Sequence, residues 1–527
     1  MAQPAELQRA RALALEFMTG RLSRRELLVR AAAFGVGLPI LGAALANPVF
    51  LQSASAQAAG GELTVAISAD IDTLDPHVSQ LLMFNNVIRL TAFNSLVKYG
   101  PNLDYLGDLA EKWENPDEKT YVFTLRDGVT YHNGQAVEAS HVEFSYKRIA
   151  DKQTVFSSRV ANVESYEVVD PKTIKITLKT VQADFIDGLI LLSIISPEIA
   201  EKIETEAIGT GPFKVTDWVV NDHITLEKNP DYYETGVPTI DKLTFRVIPE
   251  AQVAITNLQS GDVQGVLDLP VSQAAPLKDS SDVKPLIVPT SSIHIFELMG
   301  KNSPEVLSSP KVRQALAHCL DKDAVQQTVF SGEGRQKWTF VAAGSWAYKD
   351  VPGYEYDTAK AKALLAEAGY PNGFEITVII PSGYPDGEKA STIWQAGLAE
   401  AGVKLNLEVQ ELSVWVENYV GHNYDVTWNV FPGFADPNYF VALDLQPHFA
   451  DQWKNPEAEQ AAEDANATID QAARTELYGK LQDLFVADLP VLVIQEAPQA
   501  SLTAPNVTGW EINSLGFVII KNATVGA

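Results

Sequence analysis

The chain has 527 residues, of which 46% are hydrophobic and 20% charged, and its formal net charge is −27. That length is too great for one hydrophobic core and implies roughly two to four domains. The acidic balance argues against nucleic acid, which is held through Lys and Arg, and against anionic membrane surfaces, and a lone cysteine, Cys319, excludes an internal disulfide. In chain order, Ser23-Arg24-Arg25-Glu26-Leu27-Leu28 is a twin-arginine pattern, and no charge follows from Ala31 through Gly61. Small-x-small triplets at Ala54-Ser55-Ala56 and Ala56-Gln57-Ala58 offer cleavage points. Residues 1–58 are similar to a twin-arginine signal peptide, with the periplasm as destination. The uncharged run is also long enough for a membrane anchor, but Gly35, Gly37, Pro39, Gly42 and the polar Gln52–Gln57 tail fit cleavage better.

Glu62–Ile67 reads as the first strand of the mature chain, followed by a loop through Asp72, Asp75 and Pro76 and a helix over Met83–Leu96. Tyr121–Leu125 is a strand closed by Asp127-Gly128, and Asn133-Gly134 is a tight turn. Ser140 is placed to cap a helix carrying Val142, Phe144, Tyr146 and Ile149. Gly209–Tyr233 (GTGPFKVTDWVVNDHITLEKNPDYY) reads as a turn and a strand pair. Gly209 and Gly211 permit φ > 0, Pro212 fixes its own φ, and Asn221-Asp222 joins two alternating strands. In the second half, Ser309 and Pro310 open a helix that holds Cys319 as a buried thiol. Asp357 caps another helix, with Ala361, Leu364, Leu365 and Ala368 on one face and Gly369 past its end. A strand at 374–380, a helix near 389–401 and a strand at 403–409 predict a βαβ unit with parallel strands. A helix at 471–484 and a strand from Pro490 complete the reading.

Catalytic patterns are missing from the sequence: no nucleophile elbow, zinc-protease helix, P-loop or dinucleotide fingerprint occurs. The eight histidines are dispersed. No catalytic residue, metal site or cofactor is therefore expected. A secreted hydrolase stays open as the reading outside this class, because sequence alone cannot single out a carboxylate pair among so many acids.

Several blocks in order carry a resemblance. They are Leu74–His77 (LDPH), Tyr121–Val137 (YVFTLRDGVTYHNGQAV), Gly209–Tyr233, Ser309–Asp321 (SPKVRQALAHCLD), Ala359–Phe374 and Asp488–Leu492 (DLPVL). Together they resemble extracellular solute-binding proteins of family 5, the peptide/nickel/oligopeptide-type receptors of bacterial ABC importers. The resemblance implies an α/β, two-lobed fold of the type II periplasmic-binding-protein kind, large peptide-binding subclass, with an extra inserted domain. Lobe one would take residues 60–92, 207–291 and 491–527, the inserted domain 93–206, and lobe two 292–490. It implies a monomeric receptor that captures a small solute between lobes and delivers it to a membrane permease. A short peptide or amino-acid-derived ligand is favoured; an oligosaccharide, an opine-like conjugate or a metal chelate remains open.

The resemblance also implies that Asp425–Pro437 (DVTWNVFPGFADP) forms one pocket wall. Gly433 stands where peptide-binding relatives place an aspartate for the α-amine, and Asp72, Asp75, Asp425 or Asp436 would have to replace it. Aromatic faces suit sugars, planar groups or cations. Arg335 and Lys337 are candidates to pair with a ligand carboxylate. The expected ligand contacts are Trp428, Asn429, Phe431, Phe434, Tyr439, Trp415, Tyr384, Arg335, Trp338 and Asp72.

Overall fold

The structure is a computed structural model that describes residues 60–79, 81–100, 103–154, 156–301, 303–445 and 453–526. The signal sequence expected at residues 1–58 lies outside the described residues. An 11-stranded sheet is built from Glu62–Ile67 and from strands between Phe213 and Thr503. In spatial order its main strands begin at Lys404, Glu375, Val426, Lys284, Val491, Gly265, Glu62, Lys242, His223 and Phe213. The parallel βαβ unit expected from the sequence is present. Glu375–Pro381 pairs in parallel with Lys404–Gln410, and the connecting helix spans Pro385–Ala401. That helix starts earlier than the sequence suggests because Pro385 supplies a preset φ at its first turn.

Two long strands, Lys284–Glu297 and Val491–Thr503, pair antiparallel along their lengths. Their register shifts between Pro289 and Ile293 and again between His294 and Ile295. Such bulges bend a strand and re-aim its side chains; at the first, Thr290 donates to the Ala497 carbonyl while Ser291 turns to the Gly433 and Ser514 carbonyls. A separate four-stranded antiparallel sheet orders Ala110–Asp117, Thr120–Leu125, Thr173–Leu178 and Val163–Asp170, and the helix Ala139–Lys152 packs on it. One hydrophobic core joins this sheet to the Glu62–Ile67 side of the large sheet. A second core gathers Ile293, Phe296, Trp394, Trp428, Tyr478 and Phe485.

Three local expectations change. The helix at 139–152 is capped by Glu138, not Ser140. His141 Nδ1 accepts from the Glu138 N–H at 3.2 Å while the Glu138 side chain accepts from the first turn, a reciprocal pair that leaves Ser140 inside the helix. The segment after Leu82 is a short helix with a π-turn at Asn85–Arg89 and ends at Ala92. Gly209 and Gly211 do not use positive φ. A Cβ at either position would overlap the backbone at Ala92, so closeness of approach requires glycine there. His132 fastens the turn: Nδ1 accepts from the Gly209 N–H at 3.2 Å and Nε2 donates to the Gly211 carbonyl at 3.0 Å. Cys319 is buried, and burial pushes its thiol up to about 12.

Candidate functional site

The strand Val426–Phe431 leads into Pro432–Pro437, and this turn meets the bulge at Ser291. A Cβ at Gly433 would overlap the Ser291 carbonyl. The Ser291 hydroxyl lies 3.0 Å from the Gly433 carbonyl and 2.8 Å from that of Ser514. Glycine is therefore required at 433 by contact, and no side chain projects from that point. Phe431, Phe434, Phe340 and Phe440 line a narrow recess beside it.

Adjoining the recess is a cavity of about 240 Å³, walled by Leu103, Pro289, Thr290, Ser291, Arg335, Ala342, Gly344, Glu496 and Ser514. Leu103 belongs to the chain segment preceding the four-stranded sheet, while Arg335, Ala342 and Gly344 belong to the second core's side. The cavity thus lies between the two. Glu496 is buried, and its Oε1 accepts from Lys337 Nζ at 3.2 Å and from the Ala343 N–H at 2.6 Å. Burial lowers the Lys337 ammonium to about 8 against the opposing pull of Glu496.

The two sides also touch directly. The Ala435 N–H donates to the Tyr99 hydroxyl, which donates in turn to Asp187 at 2.5 Å. Asn438 Nδ2 donates to Asp184 at 2.9 Å. The Arg159 guanidinium stands 5.0 Å from the Phe434 ring centre and 4.0 Å from that of Tyr439, in cation–π range. Burial, reinforced by the nearby Asp436 charge, raises the Asp187 carboxyl to about 7. Asp436 is held by Arg474 in a two-pronged pair at 2.7 and 2.8 Å, yet burial still leaves its carboxyl above the usual range, against the opposing pull of Arg474.

Residues 104–450 match bacterial extracellular solute-binding proteins, family 5 Middle, about two thirds of the chain. The chain belongs to this family. It is 27% identical over 494 residues to the glutathione-binding protein GsiB of Shigella boydii, covering 88% of this chain and 94% of that protein. Among solved structures it is similar to the binding protein AgaA of A. tumefaciens R10 in complex with agropinic acid. That match has 25% identity and a TM-score of 0.75, and covers 89% of this chain and 99% of AgaA. HbpA2 of Haemophilus parasuis matches with 26% identity and a TM-score of 0.77 over 89% of this chain and all of that one. The fold is therefore the α/β, two-lobed type II periplasmic-binding-protein fold, and the protein is a solute-binding receptor of an ABC importer. The family binds solutes and is not a catalytic one.

For this family 5 receptor, the expected contacts fall into groups. Phe431, Phe434 and Tyr439 come together, the last two with ring centres 3.9 Å apart. Arg335 stands at the 240 Å³ cavity. Trp428 and Tyr384 form a second group, 5.7 Å apart; Trp428 is buried in the second core and Tyr384 is exposed. Trp415 is buried, donates to Thr427 Oγ1 at 3.0 Å and stacks on Tyr419. Trp338 lies under the Lys322 ammonium at 3.9 Å. Half-buried Asn429 approaches Glu297 Oε1 at 3.4 Å. Asp72 accepts from the Ser79 hydroxyl at 2.6 Å. Asp75 is engaged by Arg148, Asp436 by Arg474, and Asp425 accepts from the Thr377 N–H.

Sequence reading missed Tyr99, Arg159, Asp187, Ser291, Asn438 and Glu496. They come from separate stretches of chain and carry no shared spacing. Only Asn438, two residues past Asp436, adjoins a segment already marked as pocket wall. Among the described residues, no group of three His, Cys, Asp or Glu side chains is placed to hold a metal.

Proposed function

We propose that the protein is exported by the twin-arginine route, with residues 1–58 removed, and works in the periplasm as a monomeric, non-catalytic receptor. Its ligand is a short peptide or an amino-acid-derived compound. Lobe one comprises residues 60–92, 207–291 and 491–527, the inserted domain 93–206, and lobe two 292–490. The register shift at Pro289–Ile293 serves as part of the hinge. The solute enters between the lobes and is held against Phe431, Phe434 and Tyr439, and the closed receptor hands it to the membrane permease.

The observation that supports this reading is that an aromatic recess and a cavity holding an exposed Arg335 adjoin, sharing Ser291 and Ala342. The names of the relatives agree with it: one is called glutathione-binding, and another was solved with agropinic acid. Closure follows from contacts to ligand that an open state lacks.

Thermal-shift screening of the purified protein against short peptides, sugars and amino-acid conjugates tests the proposal. A true ligand raises the melting temperature with dose. Stabilisation by sugars alone contradicts the ligand class, and turnover of the stabilising compound contradicts the receptor reading.

A further inference from the structure

We propose that the protein has a second small-molecule site, a cavity of about 120 Å³ beside Tyr99 that takes a compact, neutral, apolar molecule bearing one hydrogen-bond acceptor oxygen. The cavity shares no wall residue with the aromatic recess or with the 240 Å³ cavity, so the guest is distinct from the solute of the receptor reading. Asn513 and Leu515 line it, while Ser514 between them lines the 240 Å³ cavity. In the division proposed above, the site lies where lobe one meets the inserted domain.

Phe93, Ile190, Leu191, Phe213, Leu515 and Phe517 give the wall its apolar surface. Dry apolar cavities of roughly this size hold a benzene ring, so the space fits a single ring of about six atoms. A water needs roughly two to four polar partners, more than this wall leaves open.

The wall also contains Arg89, which ends the π-turn Asn85–Arg89 and is 3% exposed. Its terminal nitrogens are engaged. One donates to Asn85 Oδ1, the other to the Pro76 carbonyl at 2.8 Å and to that of Ser79 at 3.2 Å. The guanidinium stands 5.1 Å from the Phe84 ring centre and 4.8 Å from that of Phe156. These contacts fix it, and its Nε has no hydrogen-bond partner. Among the described residues of the wall, this is the one buried side-chain polar atom left without one. A buried donor in that state is costly, and an acceptor oxygen on the guest relieves the cost.

The charges around the wall select a neutral guest, because each already has an opposite. Lys98 and Lys521 both pair with Glu234, and Lys98 stands 3.4 Å from Asp108. Asp108 also accepts from the Ser95 N–H at 3.0 Å and the Tyr233 hydroxyl at 2.6 Å. Burial lowers the Arg89 guanidinium to about 9, against the opposing pull of Asp72 and Asp75. A charged guest would bring an unanswered charge to this largely buried wall, at high cost.

The test uses four probes: cyclohexanone, the isosteric alkene methylenecyclohexane, cyclohexylammonium and cyclopentanecarboxylate. Each is titrated into the purified protein and followed by saturation-transfer NMR. Cyclohexanone should bind saturably, and roughly tenfold tighter than the alkene, which has the same shape and no acceptor. Both charged probes should bind more weakly than the ketone. Leu191→Trp and Leu515→Phe fill the cavity and should each weaken cyclohexanone at least about tenfold, once unliganded melting confirms that they fold. Arg89→Lys keeps the charge, removes Nε and should erase the preference for ketone over alkene. The matched pair on the wild type decides the acceptor without any variant. Equal binding of ketone and alkene, tighter binding of either charged probe, or no saturable binding overturns the site. So does ketone binding that survives in a folded, filled variant. None of these outcomes touches the receptor reading.

Discussion

Tyr99 and Ala435 are 336 residues apart in the chain, yet the Ala435 N–H donates to the Tyr99 hydroxyl at 3.1 Å. That hydroxyl has one proton, which it gives to Asp187. One oxygen therefore links the turn after Val426–Phe431 to the helix Phe185–Gly188. Tyr99→Phe keeps the ring and removes both bonds. Loss of bonds of this kind costs about 1–3 kcal/mol, which shifts a two-state balance by roughly 5 to 150-fold. Small-angle scattering should report a larger mean radius for the variant under ligand-free conditions. An unchanged radius removes Tyr99 from the closing contact.

Asp187 makes stability depend on pH. Its carboxyl has an ordinary value of 3.8 and is raised to about 7 by burial and by Asp436. The folded protein therefore holds a proton that the unfolded chain has lost between these values. Stability from this group is greatest at the acidic end and falls as pH rises from about 4 to about 7. Asp187→Asn keeps an acceptor for the Tyr99 and Tyr105 hydroxyls and removes the titration. Melting curves at pH 5 and pH 8 should show a smaller pH difference for the variant, with the gain in stability at pH 8. Parallel profiles would show that another group governs this window.

Gly433 tolerates no side chain because the Ser291 carbonyl occupies the space. Gly433→Ala should destabilise the protein by about 1–3 kcal/mol, the usual cost of overpacking. Urea unfolding measures this directly. A variant as stable as the wild type would mean that the turn moves away from Ser291 at little cost.

Trp428 is buried against His294 and Tyr384 in the second core. Trp428→Ala should lower stability by about 3–5 kcal/mol, with weaker ligand binding as a consequence. Comparing Trp428→Phe separates packing from recognition. If the phenylalanine variant regains stability but not affinity, the indole itself meets the solute; if both return, Trp428 acts through the core.

Local order was legible in the sequence, and distant pairing was not. Alternation and the Asn221-Asp222 turn located the strand pair Phe213–Val219 and His223–Lys228, which forms in antiparallel register. Helical spacing after Asp357, whose side chain accepts from the Lys360 N–H, located the helix Thr358–Glu367. The pairing of Lys284–Glu297 with Val491–Thr503 crosses about two hundred residues, and nothing in either strand names its partner. Trp428 and Thr427 are both buried, so period-two alternation could not say which face looks toward a cleft. Tyr99, Asp187 and Ala435 meet only once the chain has folded.

The decisive quantity is the stoichiometry and fate of a bound solute. Calorimetric titration of the purified protein with the compound giving the largest thermal shift, followed by mass spectrometry of the recovered compound, supplies both. One saturable site per chain, with the solute recovered chemically unchanged, is the expected result. A changed mass, or no saturable binding by any peptide or amino-acid conjugate, contradicts the proposed receptor and its ligand class.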